Sequence, residues 1–144
     1  MIGIIVTGHN HVASGLVSGM NLIAGEQEKC EVVDYLEEYT PEDLRKLFNQ
    51  AFENLEECKE ILVLADLEGG LPVKLMSDMV SEMEKTVEII AGTNLGMLIE
   101  ISMARSFIYD LSELVEMAIE TGKTQVNCIE KYRNLYVKYS INKN

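Results

Sequence analysis

Four short apolar runs, Ile2 to Val6, Cys30 to Tyr35, Glu60 to Ala65 and Val87 to Ala91, are each followed by residues of helical period, and this alternation constrains the fold more than any other feature. Runs almost continuous in aliphatic residues belong to strands buried on both faces; a sheet with one wet face would alternate polar and apolar positions. Strand, helix and strand in repeated succession give parallel pairing through crossover connections. The sequence therefore reads as α/β, an open, mainly parallel sheet of four strands with helices on both faces.

The helices are marked by spacing and by their ends. Val12, Leu16, Val17, Met20 and Ile23 form one apolar stripe from Val12 to Ala24, closed by Gly25. Thr40-Pro41-Glu42-Asp43 combines an N-cap hydroxyl, a proline in the first turn and two acids where the helix dipole favours them, and Leu44, Leu47, Phe48, Ala51 and Leu55 then face a core. Pro72 suits the first turn of a third helix, with Val73, Leu75, Met76, Met79, Val80 and Met83 inward. Leu95 to Ala104 and Asp110 to Glu120 are the last two, the second stopped at Thr121-Gly122; Gln125 to Ile129 is a candidate short fifth strand. A chain of 144 residues, 47% hydrophobic, suits one domain, 1–130, followed by a C-terminal tail, 131–144, whose tyrosines either dock or fray.

Charge and cysteine content exclude whole classes of function. Twelve Lys and Arg against 24 Asp and Glu leave a net charge of -12, the wrong sign for nucleic acid or an anionic membrane surface. Three scattered cysteines, Cys30, Cys58 and Cys128, suggest neither a disulfide framework nor a zinc knuckle. Ile2 to Val6 is too short for a membrane span and lacks the basic start of a signal peptide, so the expected location is the cytoplasm.

In an open parallel sheet, ligands bind beyond the carboxyl ends of the strands. Three loops lie there: Thr7-Gly8-His9-Asn10-His11, Asp66-Leu67-Glu68-Gly69-Gly70-Leu71-Pro72, and Gly92-Thr93-Asn94. The first holds both histidines of the chain; the second sets an aspartate near a diglycine. A neutral imidazole, one nitrogen free and the other N–H held by a carboxylate, can accept a phosphoryl group, and nearby helix N-termini favour the charge it brings. His9 with Asp66 as orienter, and Gly69-Gly70 as a close backbone approach to phosphate, make such a site. On residue type alone, His9 and His11 also read as a metal pair with Asp66 or Glu68 as third ligand, and Asp66 as a cap of the helix behind it. Neither GxGxxG nor GxxxxGK[ST] is present, which argues against a nucleotide, and Cys58 and the series Met76, Met79, Met83 read as packing.

Taken together, Thr7-Gly8-His9 with Ala13, the stretch Leu22 to Gln27, Asp66 with Gly69-Gly70 and Pro72, and Ala91-Gly92-Thr93-Asn94-Leu95 running to Met97-Leu98 and Met103-Ala104-Arg105 resemble the enzyme IIA domain of the mannose family of the bacterial phosphoenolpyruvate-dependent sugar phosphotransferase system. The resemblance implies that His9 accepts a phosphoryl group from the phosphocarrier HPr and passes it to a IIB component for sugar uptake. It gives Asp66 the role of the carboxylate that holds the histidine. It further implies a phosphate site drawn from Asn10, Gly69, Gly70, Leu71, Pro72 and Val73, with no metal and no cofactor, and a homodimer that exchanges a short antiparallel edge strand. Leu67, Leu71 and Val12 would make the central apolar contact with the visiting partners.

The departures from the family pattern are Gly8-His9-Asn10 in place of Thr-His-Gly and Leu71 in place of a serine hydroxyl, while Glu68 adds a negative charge beside the phosphate loop. His11 matches no family histidine and is expected inside the helix. Two rival readings remain: a regulatory phosphocarrier, similar to the phosphotransfer subunit of dihydroxyacetone kinase, and the metal-binding module.

Overall fold

The computed structural model describes residues 1–129, so the expectation for 131–144 lies outside the described residues. The elements follow in the order β1 (Gly3–His9), α1 (Val12–Ala24), β2 (Cys30–Tyr35), α2 (Pro41–Asn54), β3 (Glu60–Ala65), α3 (Leu71–Val80), β4 (Thr86–Ile90), α4 (Leu95–Ala104) and α5 (Leu111–Thr124). The sheet has the order β2-β1-β3-β4 and is parallel throughout.

Alternate residues of the central strands feed two cores. Ile4 and Val6 of β1 and Leu62 and Leu64 of β3 pack with Met20, Leu98 and Leu114 of α1, α4 and α5. Ile5, Ile61 and Val63 pack on the other face with Leu44, Phe48 and Met76 of α2 and α3. Each such side chain contributes about 1.5–3 kcal/mol on burial, and both faces are covered, as continuous apolar runs demand. Two cations close the end of the sheet opposite the loops already singled out. The Lys85 ammonium donates to the carbonyls of Leu55, Glu56 and Cys58 at 2.9, 2.9 and 2.8 Å, where α2 ends. The buried Arg105 guanidinium donates to the carbonyls of Ile2, Lys29 and Glu28, tying the start of β1 to the approach to β2.

Several boundaries differ from the sequence reading, for local reasons. Thr7, Gly8 and His9 belong to β1 and not to a turn, because pairing with Val33, Asp34 and Tyr35 of β2 extends the strand. β4 begins and ends one residue earlier than expected. Gly122 does not stop α5; it is buried inside the helix, and a Cβ there would lie 2.4 Å from Cε of Met97, so its smallness serves helix packing. Val12, Ile23 and Leu47 are exposed, while Phe52 enters the core. Gln125 caps α5 and residues 126–129 form no strand in the single chain, with Val126 and Ile129 exposed.

The chain steps from β1 outward to β2, then returns to place β3 on the other side of β1. The sheet therefore has its topological switch point between the carboxyl ends of β1 and β3, the place where loops diverge and leave a crevice.

Candidate functional site

His9 is the last residue of β1 and Asp66 the first after β3, so the switch point brings them together across 57 positions of sequence. One carboxylate oxygen, Oδ2 of Asp66, accepts both the His9 backbone N–H at 2.8 Å and the ring Nδ1–H at 2.9 Å. The imidazole is thereby held in the tautomer that leaves Nε2 as a free lone pair. The His9 side chain is 42% exposed and that of Asp66 only 14%, so the ring is half open to solvent while the carboxylate that holds it is largely enclosed. Tyr35 stands edge-on to the ring, with centroids 6.2 Å apart.

Burial by itself would push the Asp66 carboxyl up, but the hydrogen bonds from the His9 backbone N–H and ring hold it below its ordinary 3.8, and the positive charge of the ring, whenever it is protonated, acts in the same direction. The weaker pull of the Leu67 N–H acts in the same direction. The second oxygen, Oδ1, is buried and accepts no full hydrogen bond among the described residues. The third loop steadies this aspartate from behind: Gly92, at φ 78°, donates its N–H to the Asp66 carbonyl, and Thr93 donates to that of Ala65.

The helix starts separate into two kinds. Thr40, Asn94 and Asp110 cap α2, α4 and α5 by accepting the Asp43, Met97 and Glu113 amides. The start of α1 is taken by Asp34, which reaches from β2 to accept the Ser14 N–H at 3.0 Å. Only α3 has no side-chain cap among the described residues; its N-cap is Gly70, whose backbone lies against the Nε2 side of His9, and the first amides of a helix, here those of Leu71 and Val73, have no partner within the helix. Pro72 has no N–H and contributes its fixed backbone, not a donor.

The remaining sequence candidates sort as follows. Asn10 adopts φ 48° and spends its side-chain oxygen on the Glu37 N–H, so it shapes the turn after β1. His11 is the N-cap residue of α1, outside the helix body, 78% exposed, with Nδ1 3.5 Å from Asp34. Glu68 is exposed, which keeps its charge in solvent, and Leu67 and Val12 are exposed apolar residues flanking the site while Leu71 is partly buried. Among the described residues no group of three His, Cys, Asp or Glu side chains is placed to hold a metal ion. Asp34 was missed by sequence reasoning because a cap supplied from a neighbouring strand leaves no local signal.

Fold and site define an α/β domain with an oriented, half-exposed imidazole at its switch point and an open helix start facing it. The chain belongs to the family described as PTS system fructose IIA component, whose model matches residues 3–119; the members of that family are phosphotransfer components of sugar phosphotransferase systems. It is 33% identical over 129 residues to the PTS system mannose-specific EIIAB component of Escherichia coli (strain K12), covering 90% of this chain and 40% of that protein. The chain thus spans less than half of that relative's length. It is 27% identical over 108 residues to the PTS system fructose-specific EIIA component of Bacillus subtilis (strain 168), covering 75% of this chain and 73% of that one. The crystal structure of phosphotransferase system component EIIA from Streptococcus agalactiae superposes with a TM-score of 0.81 at 30% identity, covering 89% of this chain and 97% of that one. No described helix is long and apolar enough to cross a membrane.

Proposed function

We propose that His9 is the phosphoryl carrier of this IIA domain, taking the group from HPr phosphohistidine and delivering it to a IIB component. The observation that carries the reading is the lone pair at Nε2, fixed by the Nδ1 bond to Asp66 and facing the uncapped start of α3. In the forward step Nε2 of His9 attacks phosphorus in line. The P–N bond to the HPr imidazole breaks, its electron pair returns to that ring, and the proton on Nδ1 of His9 stays with the ring, bonded to Asp66. The Leu71 and Val73 amides offset the charge on the transferred group, the preorganised stabilisation that suits a loose phosphoryl-transfer transition state. Donor and acceptor are both protein imidazoles, so the step calls for no metal or nucleotide.

The exposed Leu67 and Val12 support a small transient interface around the imidazole. The exposed Val126 and Ile129 after α5, and a β4 that ends the sheet without a further partner strand among the described residues, support a homodimer in which the segment after α5 pairs with the partner's sheet.

The test is incubation with phosphoenolpyruvate, enzyme I and HPr, followed by intact mass measurement of wild type, His9→Ala and His11→Ala. The expected result is one acid-labile phosphoryl adduct that only His9→Ala abolishes; an adduct surviving that change would overturn the assignment.

A further inference from the structure

We infer that Gly8 and Gly70 are positioning residues whose missing side chains set the His9–Asp66 pair, and that the neighbouring Gly69 has no such role. The inference rests on the reading of His9 as phosphoryl carrier. Gly70 has φ -89° and ψ 165°, extended backbone that any residue adopts, so conformation does not call for glycine there. Space does: a Cβ on Gly70 would lie 2.4 Å from Cε1 and 2.9 Å from Nε2 of His9, well inside the ~3.5 Å at which carbon atoms touch. Gly8 sits in the regular part of β1, in register with Asp34, yet a Cβ there would lie 2.8 Å from Cγ and 2.9 Å from Oδ2 of Asp66. Gly69 meets nothing within 4 Å and is not in the left-handed region.

The two contacts act from opposite ends of the pair. Without a side chain at residue 8 the Asp66 carboxylate lies against the β1 backbone, where one oxygen reaches both the main chain and the ring of His9. Without a side chain at residue 70 the imidazole can stand with Nδ1 on that oxygen and Nε2 toward α3. The ring is rigid, so a methyl at residue 70 pushes Cε1 and Nε2 away and pulls Nδ1 off Asp66; a methyl at residue 8 moves the carboxylate instead. The diglycine thus divides: the backbone of one residue is fitted against the imidazole and that of the other leaves the ring's position untouched.

The experiment compares Gly70→Ala, Gly8→Ala and Gly69→Ala in the full chain. Three quantities are measured: the His9 Nδ1–H proton and ring nitrogen resonances, the rate of phosphoryl acceptance from phospho-HPr, and the urea midpoint. Gly70→Ala and Gly8→Ala should lose the protected Nδ1–H signal and slow acceptance roughly 100-fold, the scale of a misplaced reacting group, with folding retained. Gly69→Ala should keep the Nδ1–H signal and the ring nitrogen resonances of wild type, as an exposed substitution that touches neither His9 nor Asp66. The inference is overturned if Gly70→Ala and Gly8→Ala keep the Nδ1–H signal, or if Gly69→Ala loses it equally. Should Gly70→Ala not fold, Gly8→Ala decides by the same signal. Failure of the wild type to accept phosphate on His9 would remove the functional reading alone, since the resonances still report the ring's position.

Discussion

Oδ2 of Asp66 accepts two N–H groups of His9, one from the backbone at 2.8 Å and one from the ring at 2.9 Å, so a single oxygen fixes both the end of β1 and the tautomer of its last side chain. Two substitutions separate the charge of that oxygen from its capacity to accept. Asp66→Asn in the orientation that keeps a carbonyl oxygen toward His9 preserves the fold but removes the charge, and Asp66→Ala removes the acceptor. We expect Asp66→Ala to slow phosphoryl acceptance on the order of 100-fold, the cost of a poorly oriented reacting group, measured by rapid quench with phospho-HPr. Unchanged rates in this variant would remove Asp66 from the mechanism.

The same pair makes stability depend on acid. The folded Asp66 carboxyl is held below its ordinary 3.8, so its contribution is fully present above the unfolded value and is lost as pH falls through the folded one. Urea midpoints taken from about pH 5 down to about pH 3 should therefore fall less steeply for Asp66→Asn than for wild type. Parallel curves would show that the carboxylate gains nothing from His9.

Asp34 caps α1 through the Ser14 N–H and lies 3.5 Å from the His11 ring. Its loss should act on the helix and not on the chemistry: Asp34→Ala is expected to cost about 1 kcal/mol, the usual loss of an N-cap, in urea unfolding, with phosphorylation of His9 retained. A variant of full stability would mean that solvent caps α1 equally well.

Gly92 holds φ 78° while its N–H supports the Asp66 carbonyl. Gly92→Ala should destabilise the domain by ~1–2 kcal/mol, the cost of a left-handed non-glycine residue, and slow phosphoryl acceptance through the displaced aspartate. Loss of stability with full activity would show that the loop does not position Asp66.

Lys85 serves three carbonyls far from the site, and Lys85→Met leaves them without that partner. A loss of about 1–3 kcal/mol with unaltered transfer kinetics is expected from denaturant titration and quench measurements on one preparation. A change in transfer rate would reveal coupling between the two ends of the sheet.

How far the sequence could be read depended on whether the signal was local. Strand and helix bodies were legible because burial on two faces writes continuous apolar runs, and the Thr40 capping box stood out because its partners, Thr40 and Asp43, are three residues apart. His9 and Asp66 were legible as candidates because strand ends and glycine loops mark the binding edge of a parallel sheet. What decides their geometry was not: the reach of β1 to His9 depends on its pairing with β2, the cap of α1 comes from Asp34, and Gly122 is small because Met97 lies over it. The apolar stripe of α1 misled at Ile23, which lies exposed near the end of that helix.

The switch point has a consequence for the order of events during synthesis. A growing chain that has emerged only through β2 already displays the imidazole of residue 9, but the oxygen that governs its proton is still many codons away. With His9 as the carrier, the oriented ring exists only once β3 has docked beside β1, so rapid charging of the domain would report that its sheet has been assembled.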